Sequence, residues 1–339
     1  MQFITPLDVY ILSVVALIQL GAWFSYLGMR AIFVNTAAVL AYHFSRAKRR
    51  LSEQNLSETF GNQLTKDQLR TIVKSSFYQF WLEAFSVASP SFPEAGDGHV
   101  EIHGLEHLRQ AIDNGKGAIL WESSQFGRRS LMKQILHRNG FRIRQVYGEN
   151  HAGGFYRPCP ASWVRRHMIK RFFDNCERQY VAEILNLPLW APLPVIRVLL
   201  ERLKENRIIC VAGDSTLGWN FVHKHFLGGD RAFSTGMVSL SRITGAPILP
   251  IFCVQKKKDR IAMIVEPPIR PDSNMDRDRA SEACITRYVD LLESYIKKYP
   301  GQYYHWHRLA APAVSGQDSV TQDPPVRAPV ETPDWSEVR

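Results

Sequence analysis

Gly117-Ala118-Ile119-Leu120-Trp121-Glu122-Ser123-Ser124-Gln125-Phe126-Gly127 decides how the rest of this chain is read. An unbroken apolar run ends on a carboxylate, two serines, an amide and a glycine. A basic stretch then opens at Arg128. That order predicts a strand, a turn and a helix, the place where α/β folds keep their chemistry. Glu122 stands out, because a carboxylate ending an apolar strand is costly unless it has a partner or a raised pKa.

Downstream, Leu131, Ile135 and Leu136 give the helix an apolar face, and Asn139-Gly140 ends it. Phe141 to Tyr147 alternates as a strand does. Val164, Met168, Phe172, Cys176 and Tyr180 recur every fourth residue and predict one helical stripe. Val195 to Leu203 is another helix. Ile208 to Ala212 is a continuous apolar run closing on Gly213-Asp214, the pattern of a buried strand. Ser234 or Thr235 can cap a helix from Gly236 to Ile243, and Gly245 stops it. Strands are expected at Ile248 to Val254 and Ile261 to Val265, and a last helix from about Arg279 to Tyr299.

Upstream, Leu51 to Ser89 reads as helical, with Thr65 and Gln68 in capping-box spacing. Pro90, Pro93 and Gly96 break it before a strand (Val100 to Ile102) and a helix (Glu106 to Asn114). The alternation predicts an α/β fold, a mixed central sheet flanked by helices.

Val9 to Met29 carries no charged residue and is long enough to cross a bilayer. Arg30 interrupts, Ala31 to Phe44 is again apolar, and Arg46, Lys48, Arg49 and Arg50 follow. The positive-inside rule places that cluster on the cytoplasmic side. An N-terminal hydrophobic helical membrane anchor is expected over residues 1–50. An interfacial hairpin, or helices packed on the domain, are the alternatives. Residues 51–310 form the α/β domain, and the proline-rich remainder, 311–339, reads as a disordered tail.

The net charge of +10 and pI of about 9.4 favour anionic partners. The apolar N-terminus directs that preference to membrane lipid. Nothing resembles a reading helix or an aromatic stacking platform, so nucleic acid is not expected. Five cysteines with no C-x-x-C pair argue against a disulfide framework or a zinc site.

Several blocks resemble the lysophospholipid acyltransferase superfamily, above all its lipid A late acyltransferase branch. They are Val100-Glu-Ile-His-Gly104-Leu-Glu106 with Gly115-Lys-Gly117, the segment Asp214 to Phe226-Leu227-Gly228, Ser234-Thr235-Gly236, Thr244-Gly245-Ala246-Pro247-Ile248-Leu249-Pro250, and Pro300-Gly-Gln302-Tyr303-Tyr304-His-Trp306-His307-Arg308. They stand in the family's order from Val100 to Arg308, and the N-terminal anchor and the helix after Asn55-Leu56 also suit the family's pattern.

The resemblance implies transfer of a fatty acyl group from an acyl carrier protein or coenzyme A thioester to a hydroxyl of a lipid or glycolipid. It implies no metal or other cofactor, and the cytoplasmic face of a bacterial inner membrane. The family works through a histidine followed, after four residues, by an acid. An alcohol attacks well only when a base takes its proton, and the acid holds the histidine tautomer. Here Gln125 occupies the histidine position and Ser130 the acid position. Gly148 stands where the family often has arginine.

Glu122 is the first candidate to replace the lost base, through a raised pKa; the alternative is an ion pair with Arg128 or Arg129. His151, past the next strand, is the second candidate, a surface loop histidine being its alternative. Ser123 lacks a nucleophile elbow. Ser124, Gln125, Arg128, Arg129, Asp214 and Gly228 are the candidate substrate-binding residues. The two arginines open a helix, where anions are favoured. Asp214 is either near the site, as the family's aspartate is, or a turn cap. His225-Phe-Leu-Gly-Gly-Asp230 has the family spacing but the wrong place, and reads as a decoy. The expected function is acyl transfer, the competing one a catalytically inactive homologue that binds lipid or protein.

Overall fold

The computed structural model describes residues 3–25, 30–88, 100–148, 162–187, 192–215, 218–257 and 260–309. Four helices come first: α1 (Pro6–Ser25), α2 (Arg30–Phe44), α3 (Arg46–Thr59) and α4 (Lys66–Ala88). Then follow β1 (Val100–His103), α5 (Leu105–Asp113), β2 (Ala118–Glu122), α6 (Arg129–Arg138) and β3 (Ile143–Gly148). A π-helical turn (Arg165–Ile169) runs into α7 (Lys170–Glu177), then β4 (Glu183–Leu187), α8 (Pro192–Lys204) and β5 (Ile208–Ala212). The chain continues through β6 (Phe221–Phe226), β7 (Gly229–Ser234), α9 (Gly236–Thr244), β8 (Ile248–Lys257), β9 (Arg260–Val265) and α10 (Arg277–Lys298).

The central sheet has seven strands in the order β1-β9-β8-β2-β5-β3-β4, and β6-β7 is a separate hairpin. From β8 to β4 all pairs are parallel; β8 and β9 pair antiparallel, which makes the sheet mixed. The alternation of β2 explains why it must be central. Ile119 and Trp121 enter the core on one face and Ala118 and Leu120 the core on the other. A strand buried on both faces has no polar side to show water. With β5 and β8 on either side, β2 brings its C-terminal turn to the middle of the sheet.

Local signals hold where they depend on neighbours in sequence. Thr65 and Gln68 form the capping box reciprocally, at 2.8 and 3.3 Å. The helix expected over Leu51 to Ser89 is instead two, parted by Gly61 and Asn62, both at positive φ. The every-fourth-residue stripe from Val164 fails at Met168, which is half exposed. The π-helical turn adds a residue there and rotates the face. Val164, Ile169, Phe173 and Cys176 point inward instead. The strand β4 has no continuous apolar run and was not expected.

The N-terminal expectation is corrected. Among the described residues no helix is long and apolar enough to cross a membrane. The helix α1 ends at Ser25, and residues 26–29 of the expected span lie outside the described residues, as do 311–339. Ile11 packs with Val164, Ile169 and Phe173, while Val14 packs with Val34, Trp81, Leu82 and Phe85. Asp8, fully buried, accepts from Arg165 Nη2 at 2.9 Å and from Thr5. This pair ties α1 to the π-helical turn. Asp8→Ala strands the Arg165 charge, a change that costs about 3–5 kcal/mol at a buried pair. Faster hydrogen exchange in α1 and in residues 165–169, with the central sheet unchanged, is the expected reading.

Candidate active site

Glu122 and Ala212 are register partners at the ends of β2 and β5. Their following turns therefore lie side by side. Gly213 N and the Tyr288 hydroxyl both donate to the Glu122 carbonyl, each at 2.9 Å. The Tyr288 ring lies so close that a Cβ on Gly213 would sit 2.6 Å from it. Asp214 then turns toward the β2 loop. Its Oδ2 accepts from Ser123 Oγ at 2.6 Å and its Oδ1 from Ser124 N at 2.7 Å. Gln125 N in turn donates to Ser123 Oγ at 3.3 Å.

The other side of the turn is held by residues 300–308. Gly127 N donates to Gln302 O, and Tyr304 N donates to Gln125 O. The Tyr303 hydroxyl donates to Gln125 Oε1 at 2.8 Å, and that of Tyr304 to Gly127 O at 3.2 Å. Gly127 has φ +76°, and a Cβ there would meet Cys253 O at 2.4 Å. Only glycine takes this conformation at this distance.

Beneath the turn lies a buried charge network. Glu122, 1% exposed, accepts from Arg129 Nε at 3.0 Å and Arg129 Nη2 at 2.6 Å. Gln145 Nε2 adds a bond at 3.0 Å, and Lys133 Nζ stands at 3.9 Å. Lys133 also bonds Glu177, which accepts from Tyr147. Burial alone would raise the Glu122 pKa, but Arg129 and Lys133 outweigh it and hold the carboxyl down to about 2. The expectation of a raised pKa is therefore wrong. A carboxylate held this way is a poor proton acceptor, and it does not line a crevice. The ion pair with Arg129, the competing reading, is what the structure contains.

The anion-binding expectation for Arg128 and Arg129 fails for the same reason. Arg129 is committed to Glu122. Arg128, 2% exposed, donates to Ser86 Oγ at 3.0 Å and lies 3.9 Å from Glu83. Glu83 also accepts from both Ser130 N and Ser130 Oγ at 2.7 Å. Its carboxylate thus comes from α4 to the position where the resemblance expects an acid at 130. There it satisfies an orphan N–H in the first turn of α6 and complements the helix dipole.

Ser124, Gln125 and Asp214 are brought together, each half-buried. His151 lies outside the described residues. The nearest neighbours of Gly228 are Thr59 and Glu58 of α3, and Thr59 Oγ1 donates to Leu227 O. That places Gly228 at a hairpin tip packed on α3, apart from the β2 turn. His225 and Asp230 face each other across the β6–β7 hairpin at 3.5 Å, both well exposed. An open groove of about 900 Å³ runs along α10 between Glu266 and Ser294, and none of the strand-end network lines it. Glu83 and Tyr303 are the members of the site that sequence reasoning missed. Tyr303 stands in the segment from Pro300 to Arg308, but nothing in that segment's sequence tells that it touches Gln125.

Two of the blocks that resemble lipid acyltransferases, at Asp214 and at residues 302–304, meet the turn after β2, and the class of the protein is acyltransferase. The chain belongs to the bacterial lipid A biosynthesis acyltransferase family, whose profile matches residues 7–310. It is 25% identical over 244 residues to a phosphatidylinositol mannoside acyltransferase of Mycolicibacterium smegmatis, covering 72% of this chain and 71% of that protein. A Mycobacterium tuberculosis protein of the same name is 24% identical over 188 residues, 55% of this chain and 54% of its own. The 1-acyl-sn-glycerophosphate acyltransferase PlsC of Thermotoga maritima superposes with a TM-score of 0.37 at 12% identity, over 79% of this chain and 98% of that one. That likeness is too slight to argue from.

Glu122→Gln leaves Arg129 and Lys133 without their shared anion and costs about 3–5 kcal/mol, read as a lower urea midpoint at pH 7. The sign with pH follows from a depressed folded pKa. The stabilisation is present above the ordinary carboxyl value of 4.5 and disappears as pH falls from there to about 2. The wild type therefore loses stability over that window more steeply than Glu122→Gln does. Gly127→Ala forces a strained φ against Cys253 and lowers stability by more than about 1 kcal/mol, measured by thermal unfolding.

Proposed function

We propose that the protein transfers a fatty acyl group from an acyl carrier protein or coenzyme A thioester to a hydroxyl of a lipid or glycolipid at a membrane surface. The observation that carries this reading is the half-buried trio Ser124, Gln125 and Asp214, held at the end of β2 by the family's own blocks. The mycobacterial relatives are named for phosphatidylinositol mannoside, so a mannosylated phospholipid is the first acceptor to try. The cytoplasmic face of a bacterial inner membrane is the proposed place of work.

The N-terminal helices support membrane contact without spanning. Their inner faces pack on α4, while Val9, Leu17, Leu20, Ile32, Leu40 and Phe44 are 50% or more exposed. Exposed Arg46, Lys48 and Arg50 follow directly. Apolar side chains beside a basic cluster suit an anionic bilayer surface. One observation favours a second reading, a lipid-binding homologue without activity: the Gln125 amide does not accept a proton near neutral pH.

Purified protein given palmitoyl thioesters of acyl carrier protein and of coenzyme A, with phosphatidylinositol mannosides in mixed micelles, is expected to yield acylated glycolipid. No product with either donor, alongside retained vesicle binding, supports the second reading instead. Leu17→Glu with Leu40→Glu is expected to lower flotation with anionic vesicles at least about tenfold, since each buried leucine is worth roughly 1.5–3 kcal/mol. Unchanged flotation excludes this face.

A further inference from the structure

The strand-end turn holds one carboxylate that the ion-pair network leaves unpaired. Asp214 has hydrogen bonds but no salt bridge among the described residues. The groups that face it are Arg129 from α6, Tyr288 from α10, and Tyr303 and Tyr304 from the segment after α10. Arg129 is bound through two nitrogens to Glu122. Burial pushes all three phenols up, so they stay neutral. Burial likewise pushes the Asp214 carboxyl up, and the bonds from Ser123 and Ser124 restrain it. Each carboxylate oxygen has room for two donors. Ser123 takes one place on Oδ2 and Ser124 one on Oδ1. The Ser124 hydroxyl also acts on the carboxylate, and a place for a further donor is left open among the described residues.

Gln125 is oriented by Tyr303. The Tyr303 hydroxyl donates to Gln125 Oε1 at 2.8 Å. This turns the amide nitrogen Nε2 away from Tyr303. It has no partner among the described residues and is not among the enclosed, unbonded atoms. The family's histidine position thus presents a donor, and an acceptor lies beside it, linked through Ser123 Oγ.

We propose that Asp214 is the general base of the acyl transfer and that Gln125 Nε2 donates to the thioester carbonyl oxygen as that oxygen gains charge. The assignment rests on the acyl-transfer reading above. The acceptor O–H breaks and its proton passes to Asp214. The acceptor oxygen bonds the acyl carbon, and the carbonyl pair moves to the oxygen, which Nε2 stabilises. On collapse the C–S bond breaks, and the departing thiolate takes the proton from Asp214. Ester and thiol are the products, and the enzyme returns to its starting state.

The test uses the full-length protein with the thioester and glycolipid found active for the wild type. Asp214→Asn keeps the shape and is expected to lower kcat at least about a hundredfold, with KM and the melting temperature near wild type. Asp214→Glu is expected to retain activity and to shift the acid limb of the kcat/KM profile. Gln125→Ala loses about a hundredfold in kcat and leaves that limb in place. His225→Ala, on the exposed hairpin, keeps the wild-type rate. Wild-type kcat in a folded Asp214→Asn overturns the base, as does an acid limb that Asp214→Glu does not move. Wild-type kcat in Gln125→Ala overturns the donor. In each of those cases transfer by the wild type still stands; absence of product from the wild type removes transfer and base together.

Discussion

The two parallel hydrogen bonds between Glu122 and Arg129 join the last residue of β2 to the first residue of α6. Everything between must close a loop whose ends are already fixed. Such a pair repays its desolvation only with good geometry and further bonds. Gln145 from β3 and Lys133 from α6 supply them. The pair therefore locks three elements around the head of the central strand. Its cost is the loss of Glu122 as chemistry, since an anion neutralised this well has little call for a proton.

The other half of the site's definition comes from far along the chain. Residues 302–304 hold the turn by main-chain bonds to Gln125 and Gly127 and by the Tyr303 hydroxyl. Gln302 is itself fixed by two hydrogen bonds to the main chain of Gln255 on β8: its Oε1 accepts from Gln255 N at 2.9 Å and its Nε2 donates to Gln255 O at 2.8 Å. The Asn55 amide donates to Trp306 O at 2.6 Å. A segment without strand or α-helix thus positions the chemistry because each of its turns is pinned to a different regular element.

Much of this was legible where sequence neighbours carry the information. The run Ala118 to Trp121 and its turn could be read directly, as could Ile208 to Gly213-Asp214 and the Thr65–Gln68 cap. The family blocks placed Asp214 near the turn, where it is. What escaped depends on contacts between residues distant in sequence. Glu83 reaches Ser130 across 47 residues, and Tyr303 reaches Gln125 across 178. Periodicity assumes an unbroken α-helix, so the π-helical turn at Arg165 to Ile169 escaped too. The apolar N-terminus was overread because composition does not tell which face of a helix already has a protein partner.

The clasp of Tyr303 on Gln125 also sets an order of events in biosynthesis. The two residues leave the ribosome far apart in time, and at ~5–20 residues per second the interval is on the order of ten seconds or more. Before that interval ends β2 and β5 can already pair, while the Gln125 amide still lacks Tyr303 to choose which end faces outward. Its orientation is thus among the last properties of the molecule to be fixed, after the sheet that carries it. A nascent or truncated chain lacking residues 300–308 would hold the right residues at the right strand ends, with the donor and acceptor of the site not yet told apart.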